Sequence, residues 1–176
     1  MKLTWFGGTT MRVHIGGAMV VVDAAMAPAG IAGAELVSGA DRVVEAFGAG
    51  LPAVVLQTWK PRRAQRVVDE TDEVAPVEIW SAGDGVILVD AEGEMPLVLA
   101  RQMPELGRWA GQAVLVLFGD GAQLTALGQG LLQKAGPRLL ALAGDEGTMD
   151  VAIPALRELL DGTGLVALEP GLALEV

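Results

Sequence analysis

The sequence has no cysteine and no tyrosine, and a single histidine, His14. Without cysteine there is no disulfide framework, thiolate zinc site, iron–sulfur cluster or thiol nucleophile. With one histidine there is no His-rich metal cage, and histidine-assisted hydroxyl chemistry has to run through His14. Aromatic residues are only 4% of the chain, which leaves few platforms for stacking nucleobases. No apolar run reaches the roughly 18 residues of a membrane span. The opening segment meets Gly7 and Gly8 before any apolar stretch of signal length. Positive charge is scarce as well: 12 basic against 22 acidic residues give a net charge of −10. That far field repels phosphates and argues against nucleic acid or an anionic membrane as a partner. The expectation is a cytoplasmic protein.

What is present is apolar. Hydrophobic residues make up 52% of 176 residues, and charged ones 19%. A chain of this length buries roughly 70% of its unfolded surface as one domain, here taken as 1–176. Short apolar runs at 3–6, 11–15 and 18–23 read as strands, the last two joined by Gly16-Gly17 as a two-residue hairpin. Met11, Val13 and Ile15 share one face of their strand; Arg12 and His14 share the other. Residues 24–40 read as loop with a helical turn, 41–47 as a short helix capped by Asp41, and 53–56 as a strand covered on both faces. A charged helix is expected over 61–72, with proline in its first turn. Strands follow at 77–80, 86–90, 97–100, 113–118, 138–143 and 165–168. A helix is expected over 122–134, a polar loop over 145–150, and a further helix from there to 161. Strands first and strand–helix–strand units later predict an α/β fold.

Several segments, in order, resemble the metallo-β-lactamase family, nearest its ascorbate-6-phosphate-lactonase-like branch of metal-dependent hydrolases. Leu3-Thr4-Trp5-Phe6-Gly7, Ile15-Gly16-Gly17 and Val21-Val22-Asp23 are similar to that branch's first three strands. There a Gly-His-Ser/Ala tripeptide follows the first strand and Ile-Asp-Pro ends the third. This chain has Gly7-Gly8-Thr9, keeps Asp23 and has Ala24 for the proline. Val54-Val55-Leu56-Gln57-Thr58 is similar to the strand leading into the Thr-His-x-His-x-Asp-His metal motif, whose metal positions fall on Trp59, Pro61, Arg63 and Ala64. Leu117-Phe118-Gly119-Asp120-Gly121 resembles the Ser-Gly-Asp-Thr-Gly segment with its metal-bridging Asp, here Asp120. Gly147-Thr148-Met149-Asp150 is similar to Tyr-Thr-Met-Asp, and Val166-Ala167-Leu168-Glu169 stands where the branch ends in Pro-Met-His-Tyr. The resemblance implies a four-layer αββα sandwich that has lost its zinc ligands.

Catalytic zinc needs about three N, O or S ligands, and of the matched positions only Asp120 keeps one. No cofactor is therefore expected. In exchange, Lys60, Arg62, Arg63 and Arg66 place four cations in seven positions. Two readings stay open. Arg63 or a neighbour neutralises Asp120 while Trp59 fills the vacated volume. Otherwise the cations, with Asp23, Trp59 and Asp120, form a pocket for an anionic small molecule.

The remaining features have bland readings beside the sharp ones. His14 is a general base or a solvated strand residue. The acidic run Asp69-Glu70-Thr71-Asp72-Glu73 is a hard-cation site or a solvated helix end. Asp145, Glu146 and Asp150 join Asp120 around a magnesium-type ion, or reflect loop polarity with helix capping by Thr148 or Asp150. Trp5, Trp59, Trp80 and Trp109 form a ligand box or ordinary core. The functional expectation is a non-catalytic binding or assembly module, with the high apolar content pointing to a homo-oligomer. The alternative is a lactone or phosphoester hydrolase built on a non-standard site around Asp120.

Overall fold

The computed structural model describes residues 1–62, 76–134 and 136–176. The protein is α/β, with two mixed sheets and, among the described residues, three α-helices. The smaller sheet contains β1 (Lys2–Gly7), β2 (Thr10–Ile15), β3 (Ala18–Val22), β4 (Arg42–Val44) and β11 (Ala173–Glu175), in the order β11-β1-β2-β3-β4. β1, β2 and β3 form an antiparallel meander, and β4 joins β3 in parallel. Gly16 and Gly17 take φ of 55° and 78°, the left-handed geometry a tight hairpin requires.

The larger sheet has the order β10-β9-β8-β7-β6-β5, with β5 (Glu78–Ser81), β6 (Val86–Asp90), β7 (Leu97–Ala100), β8 (Val114–Phe118), β9 (Leu139–Ala143) and β10 (Gly164–Leu168). β7 to β10 run parallel, while β5 and β6 form an antiparallel margin. Their sequences explain this placement. Every residue of β6, β7 and β8 is buried, as continuous apolar runs require when both faces of a sheet are covered.

One core lies between the sheets. Leu3, Met11, Val13 and Val20 of the smaller sheet meet Ile87, Val89, Leu99 and Val116 of the larger. A second core lies on the larger sheet's other face, where Leu88, Val98, Leu115 and Leu142 meet α2 (Gly121–Lys134) and α3 (Glu146–Arg157) through Leu124, Leu127, Leu131, Ala152 and Leu156. The two helices approach closely at Gly128, where an added Cβ would stand 2.6 Å from Leu156 Cδ1. On the smaller sheet's outer face, Arg12 packs over the Phe6 ring. Its Nη2 donates to the carbonyls of Glu35 and Leu36 at the end of α1 (Gly33–Val37), at 3.2 and 2.9 Å.

The structure corrects four expectations. Residues 41–47 hold β4 and a single 3-10 turn (Ala46–Gly48), not a helix. Asp41 does not cap a helix: its Oδ2 accepts from the Met19 amide and its own amide donates to the Met19 carbonyl, bracketing β3. Residues 53–56 are not a covered strand, because only Ala53 forms a bridge, to Ser81, and Val55 is 62% exposed. Residues 145–150 are not a loop: α3 begins at Glu146 and carries Pro154 inside it. The final strand is β11, beyond 165–168. The helix expected over 61–72 falls, from residue 63 on, outside the described residues. No helix among the described residues is long and apolar enough to cross a membrane.

Candidate functional site

The carboxyl ends of parallel strands are where open α/β sheets present ligand sites. At that end of β7, β8 and β9 the chain leaves a cleft of about 660 Å3, within the usual range for small-molecule sites. Its apolar lining is Trp5, Phe118 and Ala143. Arg101, directly after β7, Asp120, after β8, and Asp145, after β9, supply the charges, and Thr9, Gln102, Gln123 and Thr148 add polar groups.

Asp120 and Asp145 have the same local role. The Asp120 carbonyl accepts the first helical bond of α2, from Leu124, and its Oδ1 accepts from the Gln123 amide at 2.9 Å. Gln123 Oε1 in turn accepts from the Asp120 amide at 3.1 Å, completing a reciprocal capping box. Asp145 caps α3 through the Thr148 amide at 2.8 Å. Hydrogen bonding from Thr148 holds the Asp145 carboxyl below its ordinary range. Each carboxylate thus caps a helix end.

Asp23 sits behind the cleft and is 3% exposed. Both carboxylate oxygens are used: Oδ2 accepts from Thr9 Oγ1 and Oδ1 from the Phe47 amide, each at 2.6 Å. Asp23, Ala46 and Phe47 all have left-handed backbones, with φ of 50°, 46° and 45°, a conformation that costs on the order of 1 kcal/mol or more for a non-glycine residue. The bond to Asp23 helps hold Phe47 there. The Phe47 ring stands edge-on to Phe118, centroids 5.6 Å apart, and carries the Arg101 guanidinium 5.3 Å from its centroid. A chain of contacts therefore runs from Thr9 through Asp23 and Phe47 to Arg101.

The sequence-predicted cluster divides. Asp120 lines this cleft and Asp23 supports it, but Trp59, Lys60 and Arg62 are not among its walls. Arg62 Nε pairs with Asp90 Oδ2 at 2.8 Å, and its Nη2 donates to the carbonyls of Asp90 and Pro76. Asp90 ends β6, which runs antiparallel to β7, so this pair lies at the opposite end of the sheet from Asp120. Asp90 is 1% exposed, and burial pushes its carboxyl above the ordinary range against the pull of Arg62. Trp59 packs edge-on against Trp109 and Trp80, at 4.7 and 6.2 Å, so three of the four tryptophans form a core cluster and Trp5 alone reaches the cleft. Lys60 is exposed. Arg63, Ala64, Arg66 and the acidic run 69–73 lie outside the described residues.

Sequence reasoning missed Arg101 and Phe47. The available signal for Arg101 was its position, one residue past the apolar run 97–100. Nothing in the sequence marks Phe47, whose role depends on a distant carboxylate.

The donor set does not fit zinc. Trp59, Pro61, Arg63 and Ala64 offer no ligand for it, and both oxygens of Asp23 and one of Asp120 are engaged. Among the described residues no three His, Cys, Asp or Glu groups stand together as a metal site. His14 lies on the smaller sheet's outer face between Lys2 and Met19, away from the cleft. It lines a wider surface groove of about 920 Å3 with Asp41 and Glu94. There Asp41 is tied to Met19 and Glu94 to the amino group of Met1, and Lys2 is exposed; the smaller cleft, at the carboxyl ends of the parallel strands, is the better candidate. No family model, curated protein or solved structure matches the chain.

Proposed function

We propose that this chain is a metallo-β-lactamase-type αββα sandwich without the zinc chemistry, retained as a non-catalytic module that binds a small molecule through an anionic group. The layering is compatible with that fold: two sheets face to face, α2 and α3 on one outside and α1 on the other. The observation that carries the binding reading is Arg101. Its guanidinium lines the cleft and has no ion-pair partner among the described residues. A positioned, unpaired guanidinium is a receptor for a carboxylate or phosphate. In this reading the anion anchor is Arg101 rather than Lys60 or Arg62.

The test is a titration of isotope-labelled protein with small carboxylates and phosphates, followed by amide shifts. Perturbation of Thr9, Gly119, Gly144 and Thr148, lost in Arg101→Gln, supports the reading. Binding that survives Arg101→Gln refutes it. Stoichiometric zinc, or lactone or phosphodiester turnover abolished by Asp120→Asn, would instead establish the hydrolase alternative.

A further inference from the structure

The charges around the cleft are of both signs and are not paired with each other. Arg101 lines it together with Asp120 and Asp145, yet its guanidinium makes no ion pair with a carboxylate among the described residues. In an exposed setting, a flexible arginine near two carboxylates ordinarily collapses onto one of them. Here the Phe47 ring holds the guanidinium on one side. The helix caps hold the carboxylates on the other, through Gln123 and Thr148. Asp120 is held through its Oδ1 by the Gln123 amide, and Asp145 by both the hydroxyl and the amide of Thr148.

Resting on the binding reading above, we infer that the cleft selects a zwitterion: a small molecule with a carboxylate for Arg101, an ammonium for Asp120 and Asp145, and an apolar body for the wall of Trp5, Phe118 and Ala143. The electrostatics favour a ligand that carries both charges. Two carboxylates outweigh one guanidinium, and each capped helix end contributes about half a positive charge. The cleft is therefore close to neutral overall while its charges stand apart. A dianion would face two carboxylates and the protein's net charge of −10. A simple cation would leave Arg101 unmatched. A dipolar ligand matches both ends and displaces no existing ion pair, so its recognition needs no rearrangement of the site.

Three isosteric probes separate these cases: phenylalanine, 3-phenylpropanoate, which lacks the ammonium, and 2-phenylethylammonium, which lacks the carboxylate. Calorimetry and amide shifts would be recorded for each with the full chain. Phenylalanine should bind at the cleft, and each truncated probe roughly tenfold or more weakly, the loss of one charge-assisted contact. In the double variant Asp120→Asn, Asp145→Asn the caps persist, because asparagine caps as well as aspartate. That variant should lose the preference for phenylalanine over 3-phenylpropanoate while unfolding at nearly the same temperature. If 3-phenylpropanoate binds the native protein as tightly as phenylalanine, the zwitterion inference fails and the anion-binding reading stands. If 2-phenylethylammonium binds as tightly, or no probe perturbs the cleft, both fail.

Discussion

Replacing Asp23 with alanine should be among the most costly single changes outside the apolar cores. The side chain is buried and accepts two hydrogen bonds at 2.6 Å, from Thr9 Oγ1 and the Phe47 amide. A hydrogen bond to a charged group contributes about 1.5–3 kcal/mol. Part of that returns, because the variant no longer holds a desolvated carboxylate. The net loss should be about 2–4 kcal/mol, which for a chain of this size lowers Tm by roughly 5–15 °C. Asp23→Asn separates the contributions. Its carbonyl can still accept from Phe47, and its amide can donate to Thr9 Oγ1, so both bonds survive in neutral form. It should cost less than half as much as alanine. Urea unfolding with intrinsic tryptophan fluorescence measures both variants. Equal losses, or an alanine variant within about 0.5 kcal/mol of native, would refute the claim that Asp23 pins Phe47 through these two bonds.

Four further predictions concern other parts of the molecule. A folded-state pKa raised above the unfolded value, as at Asp90, means the folded state holds more protons between the two values, so stability falls as pH rises through that window. Urea unfolding from about pH 4 to about pH 7 should show this decline in the native protein and a flatter profile in Asp90→Asn; parallel profiles would contradict it. Arg62→Ala leaves that buried carboxylate without its partner and should cost about 1–3 kcal/mol, with the double variant losing less than the sum. Gly128→Ala gains about 1 kcal/mol of helix propensity, but its Cβ meets three Leu156 carbons at 2.6–3.2 Å, and crowding of about 1–3 kcal/mol should outweigh it. Calorimetric melting would expose a stabilised variant and so refute the close helix contact. Asp120→Ala breaks the capping box and should cost about 1 kcal/mol while Asp120→Asn costs little; equal effects would show that the carboxylate acts otherwise.

The middle of the larger sheet was legible because β6, β7 and β8 are buried on both faces, so 86–90, 97–100 and 114–118 stand out as apolar runs. β11 was not: Ala173-Leu174-Glu175 is short and half exposed, and it pairs with β1 from the far end of the chain. Asp41-Arg42-Val43-Val44 carries a helix-cap residue before an apolar pair, and only the pairing with β3 turns it into a strand. At 145–150 the polar run resembles a loop and Pro154 close behind it obscures the helix start, which Asp145 fixes by accepting from the Thr148 amide. Asp120 and Asp23 are singled out in the sequence only through the resemblance of their segments to family motifs. Lys60 and Arg62 are singled out by charge density alone. Charge density along the chain pointed to 60–66, but the antiparallel turn of β6 carries Asp90, and Arg62 with it, to the other end of the sheet. Position in the sheet, not local composition, decides which arginine meets the cleft.

The double coverage of the larger sheet also sets how the protein opens. Amides of β8 sit between two cores and have ladder partners on both sides, in β7 and β9. They can reach solvent deuterium only when the whole molecule unfolds. β4 and β11 are three-residue margins of the smaller sheet and can detach alone. β4 is followed within three residues by Ala46 and Phe47, which hold left-handed backbone conformations. Deuterium uptake should therefore rise from β8 outward to β4 and β11, and β4 is the margin joined to the platform under Arg101. Local opening there would release the guanidinium without melting the sheet, coupling occupancy of the cleft to exchange at a strand no ligand touches.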